Sequence, residues 1–183
     1  MLFRSVVVLL RGVNLVKRNR ISMPDLRTTL TRAGFADVAT YVQSGNVVLT
    51  STSSLEHVAS KVKQVIAERL GLELVVLVRT RDELAQVVRR NPLAGVATNP
   101  RRYLVTFLSR ELPSGFADDL ALVAKQEPFA IIGREVYSWH PDGIGRSPLW
   151  ERLASRSLGI DATSRNWTTV TTLLAMAEAA SAR

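Results

Sequence analysis

The stretch YVQSGNVVL, Tyr41 to Leu49, decides how the N-terminal half is read. Aromatic and β-branched residues flank three small polar ones, Ser44-Gly45-Asn46, and that pattern predicts a β-hairpin. Gly and Asn adopt positive φ at little cost, so a tight turn calls for them whether or not they also touch a ligand. The turn is therefore either a plain closure or a place where polar groups are presented.

Upstream, SVVVLL (Ser5 to Leu10) reads as a buried strand that runs into a basic loop, RGVNLVKRNRI. Ser22-Met23-Pro24-Asp25 supplies an N-cap serine, an early proline and an acid, opening a helix with an apolar face of Met23, Leu26, Leu30 and Ala33 that Gly34 ends. DVATYV and NVVLT are the hairpin strands. Ser53-Ser54-Leu55-Glu56 opens a second helix, in which Leu55, Val58, Val62, Val65, Ile66 and Leu70 recur at helical spacing; Gly71 closes it, and LELVVLV follows as a fourth strand. The order β-α-β-β-α-β predicts the ferredoxin-like split βαβ arrangement.

Thr80-Arg81-Asp82-Glu83 caps a third helix that ends near Arg90, and NPLAGVATNPRR then interrupts regular structure with two prolines and a glycine. The pattern restarts with strand YLVTFLS, helix GFADDLALVAK, strands PFAII and EVYSW, and a helix from Ser147. VVVLLR aligns with VTFLSR, placing Arg11 against Arg110, so the second half reads as a decayed copy of the first. After Gly159 a last helix, RNWTTVTTLLAMAEAA, carries an apolar stripe of Trp167, Val170, Leu173, Leu174 and Ala177. The expected class is α+β: two ferredoxin-like βαββα(β) halves in tandem with an extra C-terminal helix. Residues 1–79 form the first half, 80–100 a helix and linker, and 101–183 the second half with the C-terminal helix.

A chain of 183 residues with 46% hydrophobic content can bury a core. No apolar run approaches the ~20 residues of a membrane span, and MLFRSVVVLLRG lacks the small-residue cleavage site of a signal peptide. The absence of cysteine excludes disulfides, iron–sulfur ligation and thiol catalysis, and fits a reducing cytoplasm. A net charge of +8 fits an anionic partner, either a small molecule or nucleic acid. Of the 24 basic residues only Lys17, Lys61, Lys63 and Lys125 are lysines, however, and so Arg-heavy a usage beside abundant Ala and Val equally fits a GC-rich genome.

Three places gather unusual residues. In a βαββαβ sheet the first two strands run parallel, so Arg11, Gly12 and Asn14 are expected near Gln43, Ser44, Gly45 and Asn46. One guanidinium, the side-chain amides and several backbone N–H groups would favour phosphate or carboxylate over a cation; the plainer alternative is that they satisfy loop carbonyls. In HPDGIGRSPLW, Asp142, Gly143 and Gly145 precede Arg146 and a capping Ser147 with Pro148 at the first helical position, a cradle for an anion at a helix start. Its spacing is not that of a Walker motif. In ATSRNWTTVT, Thr163 or Ser164 is expected to cap the last helix, leaving Arg165 and Asn166 in the first turn. A cation there is electrostatically misplaced, so an anion, or Asp142 or Asp161, is expected to share the site, and Arg165 and Asn166 to join the loop Asp142 to Ser147 in one anion site. Trp167 could stack on a base, although an aromatic on such a stripe is more often core.

Catalytic machinery is thin. His57 reads as helix surface beside Glu56, and His140 with Asp142 is the one base paired with an acid. Two histidines so far apart give no metal site, and no cofactor is implied.

With these stretches quoted, the chain resembles the bacterial family catalogued as domain of unknown function 1697. LLRGVNLVKRNRISMPDLR, YVQSGNVVL, NPL, PDGIGRSPL and ATSRNWTTVTTLLAMA look like its motifs in order; the departure is Val16-Lys17, where the family more often has a Gly pair. The resemblance implies two ferredoxin-like halves and no assigned activity. The expected function is a cytoplasmic protein that binds a nucleotide, a phosphorylated metabolite or RNA. The alternative is an enzyme acting on a small phosphorylated or carboxylated substrate, with Arg11 or Arg146 as electrostatic stabiliser and His140 or Asp142 as acid–base.

Overall fold

The computed structural model describes residues 3–15 and 19–182, so the Val16-Lys17 departure lies outside the described residues. The fold is mixed α+β, with two four-stranded antiparallel sheets and six α-helices among the described residues. The first sheet is built from β1 (Arg4–Arg11), β2 (Ala36–Tyr41), β3 (Asn46–Ser51) and β4 (Val75–Thr80), with α1 (Met23–Arg32) and α2 (Leu55–Leu70) in the connections. Its strand order is β2-β3-β1-β4. Because β3 is antiparallel to both β1 and β2, those two strands point the same way.

The helices begin where the sequence supplies caps. Ser22 Oγ accepts from the Asp25 amide at 3.1 Å, and Ser54 Oγ accepts from the His57 amide at 3.2 Å. Val6, Val8, Leu10, Val47 and Leu49 project from one sheet face onto Leu26 and Leu30 of α1 and Val58, Val62 and Ile66 of α2. Val7, Leu9 and Val48 on the other face are equally buried. Two-sided burial explains why this central strand reads as an unbroken apolar run instead of an alternating one.

Helix α3 (Arg81–Arg90) opens on a reciprocal capping box. Thr80 Oγ1 accepts from the Glu83 amide at 3.1 Å, and Glu83 Oε2 accepts from the Thr80 amide at 2.8 Å. The second sheet contains β5 (Tyr103–Leu108), β6 (Phe129–Ile132), β7 (Glu135–Trp139) and β8 (Ala162–Asn166), in the order β6-β7-β5-β8. Helix α4 (Phe116–Ala124) joins β5 to β6, α5 (Pro148–Ala154) lies between β7 and β8, and α6 (Trp167–Ser181) ends the described chain. Leu120 of α4 and Leu149 and Leu153 of α5 pack with Leu108, Val136 and Ala162 of the sheet.

The chain divides into two compact units: residues up to Gln86 together with those from Thr172 onward, and Val87–Thr171 between them. The boundaries fall inside α3 and α6, so the end of the C-terminal helix belongs with the first unit. There Ser181 Oγ lies 2.7 Å from Ser5 Oγ of β1.

At the hairpin turn Gly45 has φ +77° and is packed tightly: a Cβ would stand 2.8 Å from Leu10 Cβ and 3.1 Å from Val13 Cγ2. Its carbonyl accepts from the Leu10 amide at 2.9 Å, so the backbone cannot back away without loosening β1. Gly12 has a similar φ of +78° but its nearest neighbour would be 3.9 Å away. Gly12→Ala should therefore cost the left-handed strain alone, about 1–2 kcal/mol, and Gly45→Ala clearly more. Urea unfolding of both variants checks this, and equal losses would show that the close approach is absorbed.

Candidate functional site

The edge of the first sheet does bring the two predicted stretches together. Asn14, held at φ +54°, donates through Nδ2 to the Gln43 carbonyl at 2.7 Å and the Ile21 carbonyl at 3.0 Å, and its Oδ1 accepts from the Ile21 amide at 2.8 Å. Asn46 is fully buried and donates to the Tyr41 carbonyl and to Ser44 Oγ. The Asn14 amide is thus engaged in holding the loop after β1 against the hairpin turn, and the Asn46 amide in closing the turn itself. Arg11 is half-buried at the end of β1, and Gln43 and Ser44 are exposed.

The second candidate loop is built on a buried polar chain. His140, 1% exposed, follows β7 directly. Its Nδ1 lies 2.8 Å from Glu127 Oε2 and its Nε2 2.8 Å from Ser138 Oγ. Ser147 Oγ donates to the same Glu127 oxygen at 2.6 Å and accepts from the Trp150 amide at 2.9 Å, capping α5. Burial pushes the His140 pKa below its ordinary value, against the opposing pull of Glu127. The neutral ring then carries its proton on Nδ1, donates to the carboxylate and accepts from Ser138.

This Ser–His–carboxylate order resembles a nucleophile relay, but Ser138 is 0% exposed and no substrate reaches its oxygen. Asp142, the expected partner of His140, is exposed, and Glu127 takes that role instead. Sequence distance hid Glu127, whereas Ser138 was findable: two residues before His140 on a strand, it shares the same side.

Beyond the relay the loop is open to solvent. Gly143 has φ +90°, and the Arg102 guanidinium donates to the Pro141 carbonyl. A short 3-10 turn, Ile144–Arg146, then leads into α5. Ile144, Gly145, Arg146, Ser147, Pro148, Trp150, Glu151, Ala154 and Ser155 line an open depression of about 630 Å³. Arg146 is exposed and Trp150 half-buried there.

The third candidate stretch folds differently from its expectation. ATSRN is strand β8, not the start of a helix, because it pairs with β5 from Leu104 opposite Asn166 to Leu108 opposite Ala162. Neither Thr163 nor Ser164 caps α6; Asn166 does, its Oδ1 accepting from the Thr169 amide at 2.9 Å. Arg165 is no misplaced helix-terminal cation. It is buried, donates to Thr163 Oγ1 at 2.7 Å and to the Ser164 carbonyl at 2.8 Å, and burial pushes its pKa down to about 10. Ala162 and Ser164 share the face that packs on α5, Ser164 bonding Thr106 across the strands. Arg165 alternates to the opposite face and does not join the Arg146 loop in one anion site. Trp167 is half-buried and stacks on the buried Tyr103, with ring centroids 4.7 Å apart.

The architecture is that of an α+β protein with two antiparallel sheets and no assigned chemistry. The chain belongs to the family described as Protein of unknown function (DUF1697), which matches residues 3–137. That span ends within β7, so the Arg146 loop, β8 and α6 lie beyond the matched residues. A conserved bacterial protein from Streptococcus pneumoniae is similar in structure, with a TM-score of 0.74 at 20% identity over 96% of this chain and 99% of that one. No curated protein matches the chain. No helix among the described residues is long and apolar enough to cross a membrane.

Asn14→Ala removes two donated hydrogen bonds and one accepted bond at the loop–hairpin junction. With carbonyls left unpaired it should lower stability by roughly 2–3 kcal/mol, read as a reduced urea midpoint at unchanged slope. Unchanged stability would return Asn14 to the list of ligand-facing groups.

Proposed function

We propose that this chain is a cytoplasmic protein that binds a small anionic ligand, a nucleotide or phosphorylated metabolite, in the depression around Arg146. One observation carries the reading: an exposed guanidinium and a half-buried indole, Trp150, line the same concavity of about 630 Å³. Arg146 supplies a charge-assisted donor for an anionic oxygen, and Trp150 an apolar flat surface for a ring. Glu151 also lines the depression and opposes a dense anion, which favours a ligand pairing a modest charge with a stackable ring. A concave site favours a small molecule over RNA laid across an open face. Of the two acid–base groups of the enzyme alternative, His140 is buried with both ring nitrogens engaged, which leaves the exposed Asp142 to carry it.

Each sheet is further read as a ferredoxin-like half, the two halves related by duplication. Their strand orders, β2-β3-β1-β4 and β6-β7-β5-β8, are the same in sequence sense. A buried arginine on the last strand of each, Arg79 and Arg165, stands opposite the central strand at Val7 and Val105. Arg79 donates to the Val78 carbonyl as Arg165 does to that of Ser164.

A thermal-shift screen against nucleotides, phosphorylated metabolites and short RNA tests the function. A ligand at ~100 times its Kd should add about 2.7 kcal/mol of stability. Arg146→Ala should weaken the hit ~10-fold or more, a loss of about 1.4 kcal/mol, with the ligand-free melting point unchanged. A hit that binds this variant at full affinity overturns the assignment of the depression.

A further inference from the structure

Ser147 is where the buried polar chain meets the depression. Its hydroxyl donates inward to Glu127 and accepts from the first turn of α5 through the Trp150 amide, while its carbonyl accepts from the Glu151 amide at 3.0 Å. The same Glu127 oxygen receives His140 Nδ1, and Ser138 closes the chain at Nε2. Four side chains, from β7, the residue that follows it, the connection before β6 and the cap of α5, thus share one set of hydrogen bonds with little room for another proton.

We propose that this chain is a proton-operated latch that holds the cap of α5, and with it the wall of the Arg146 depression, when His140 is neutral and releases it on acidification. A second proton on His140 must go to Nε2, where it faces Ser138 Oγ. Ser138 then has to turn its own hydroxyl away, inside a region where it is 0% exposed. The new cation is also desolvated, since His140 is 1% exposed. Opening residues 140–150 relieves both costs by giving the imidazolium water.

Glu127 is the ionisable group whose hydrogen bond and charge favour the protonated ring, and burial outweighs it. The other charged side chains of the adjoining segments, Arg102 before β5, held on the Pro141 carbonyl, and Asp142 and Arg146 in the loop after His140, are all solvent-exposed and screened. The sign follows directly. The closed state has the lower His140 pKa, so the open state takes up the proton more readily; closure is fully present above about pH 6.5 and lost as pH falls below it. Its bearing on ligand binding rests on the function proposed above.

Amide hydrogen exchange of the full chain, followed by NMR and corrected for intrinsic rates, reads the latch without any ligand. The opening constant at the Trp150 and Glu151 amides should be flat above pH 7 and rise by up to ~10-fold per pH unit below about 6.5. Amides of β1 should not follow. His140→Gln should abolish the rise. Should that variant fail to fold, Ser147→Ala, which cuts the link while sparing the histidine, should give fast exchange at Trp150 without the pH step. A pH-flat wild type, or a step that persists in either variant, overturns the latch. AMP binding measured over the same range separates the two readings. An exchange step without AMP binding supports the latch and counts against the depression as a nucleotide site. Tight, pH-independent AMP binding with flat exchange overturns the latch and leaves the site.

Discussion

Burial of the inner strands of each sheet on both faces is the constraint on which the rest depends. Antiparallel sheets commonly keep one wet face, which lets polar residues alternate outward at no cost. Here Val6 to Leu10 of β1, Tyr103 to Leu108 of β5 and all of β7 are buried. Any polar side chain on these strands must find a partner inside the protein or lose more than a hydrogen bond is worth. Thr106 therefore pairs with Ser164, Ser138 with His140, and Asn46 with the turn that precedes it. The same desolvation lowers the pKa of both Arg165 and His140. The consequences differ because their ordinary pKa values differ. Arg165 at about 10 remains a cation at neutral pH, whereas His140 becomes a neutral imidazole.

That constraint changes how convergent polar residues are to be read. A cluster of Asn, Ser and Arg around a turn resembles a ligand site in sequence because residue type reports capacity to donate and says nothing of whether that capacity is spent. Asn14 spends all of its amide on the loop and hairpin backbones, and Asn46 likewise donates inward. Arg146 is different in kind: it follows a strand end by several residues, so sheet burial makes no demand on it, and it stays at the surface beside Trp150.

Most of the element order was legible because apolar periodicity and caps are local signals. Ser22, Thr80 and Ser147 each mark a helix start that the structure bears out, and the box read over Ser53 to Glu56 is off by one residue, Ser54 capping α2 onto the His57 amide. Strand β8 was not legible by those means. ATSRN has no apolar alternation, since its polar residues are satisfied by Thr106, by one another and by β5, all remote or same-strand effects. A signal did exist in the comparison of halves, because VVLVRT ends the first sheet with a buried arginine just as ATSRN ends the second. The Glu127 partner of His140 was hidden for a related reason: sequence reasoning reaches for the nearest acid, Asp142, while the sheet brings in one from the far side of β6.

The halves differ most where they leave the sheet. In the first, residues 52–54 are enough to pass from β3 to α2, and Ser54 caps that helix. In the second, residues 140–147 make the corresponding step from β7 to α5, and a serine again caps the helix at its end. The cap is common to both, while the added residues between strand and cap contain His140, the left-handed Gly143 and Arg146. A longer connection over a fixed strand and a fixed helix start has to bulge into solvent, which makes a concavity where the shorter one makes only a turn. The first half elaborates a different connection, between β1 and α1, where among the described residues Asn14 ties Ile21 to Gln43 of the hairpin. One arrangement of elements thus carries two unlike loops, and the loop whose anchoring serine is tied to a titratable buried group is the one that can respond to its surroundings.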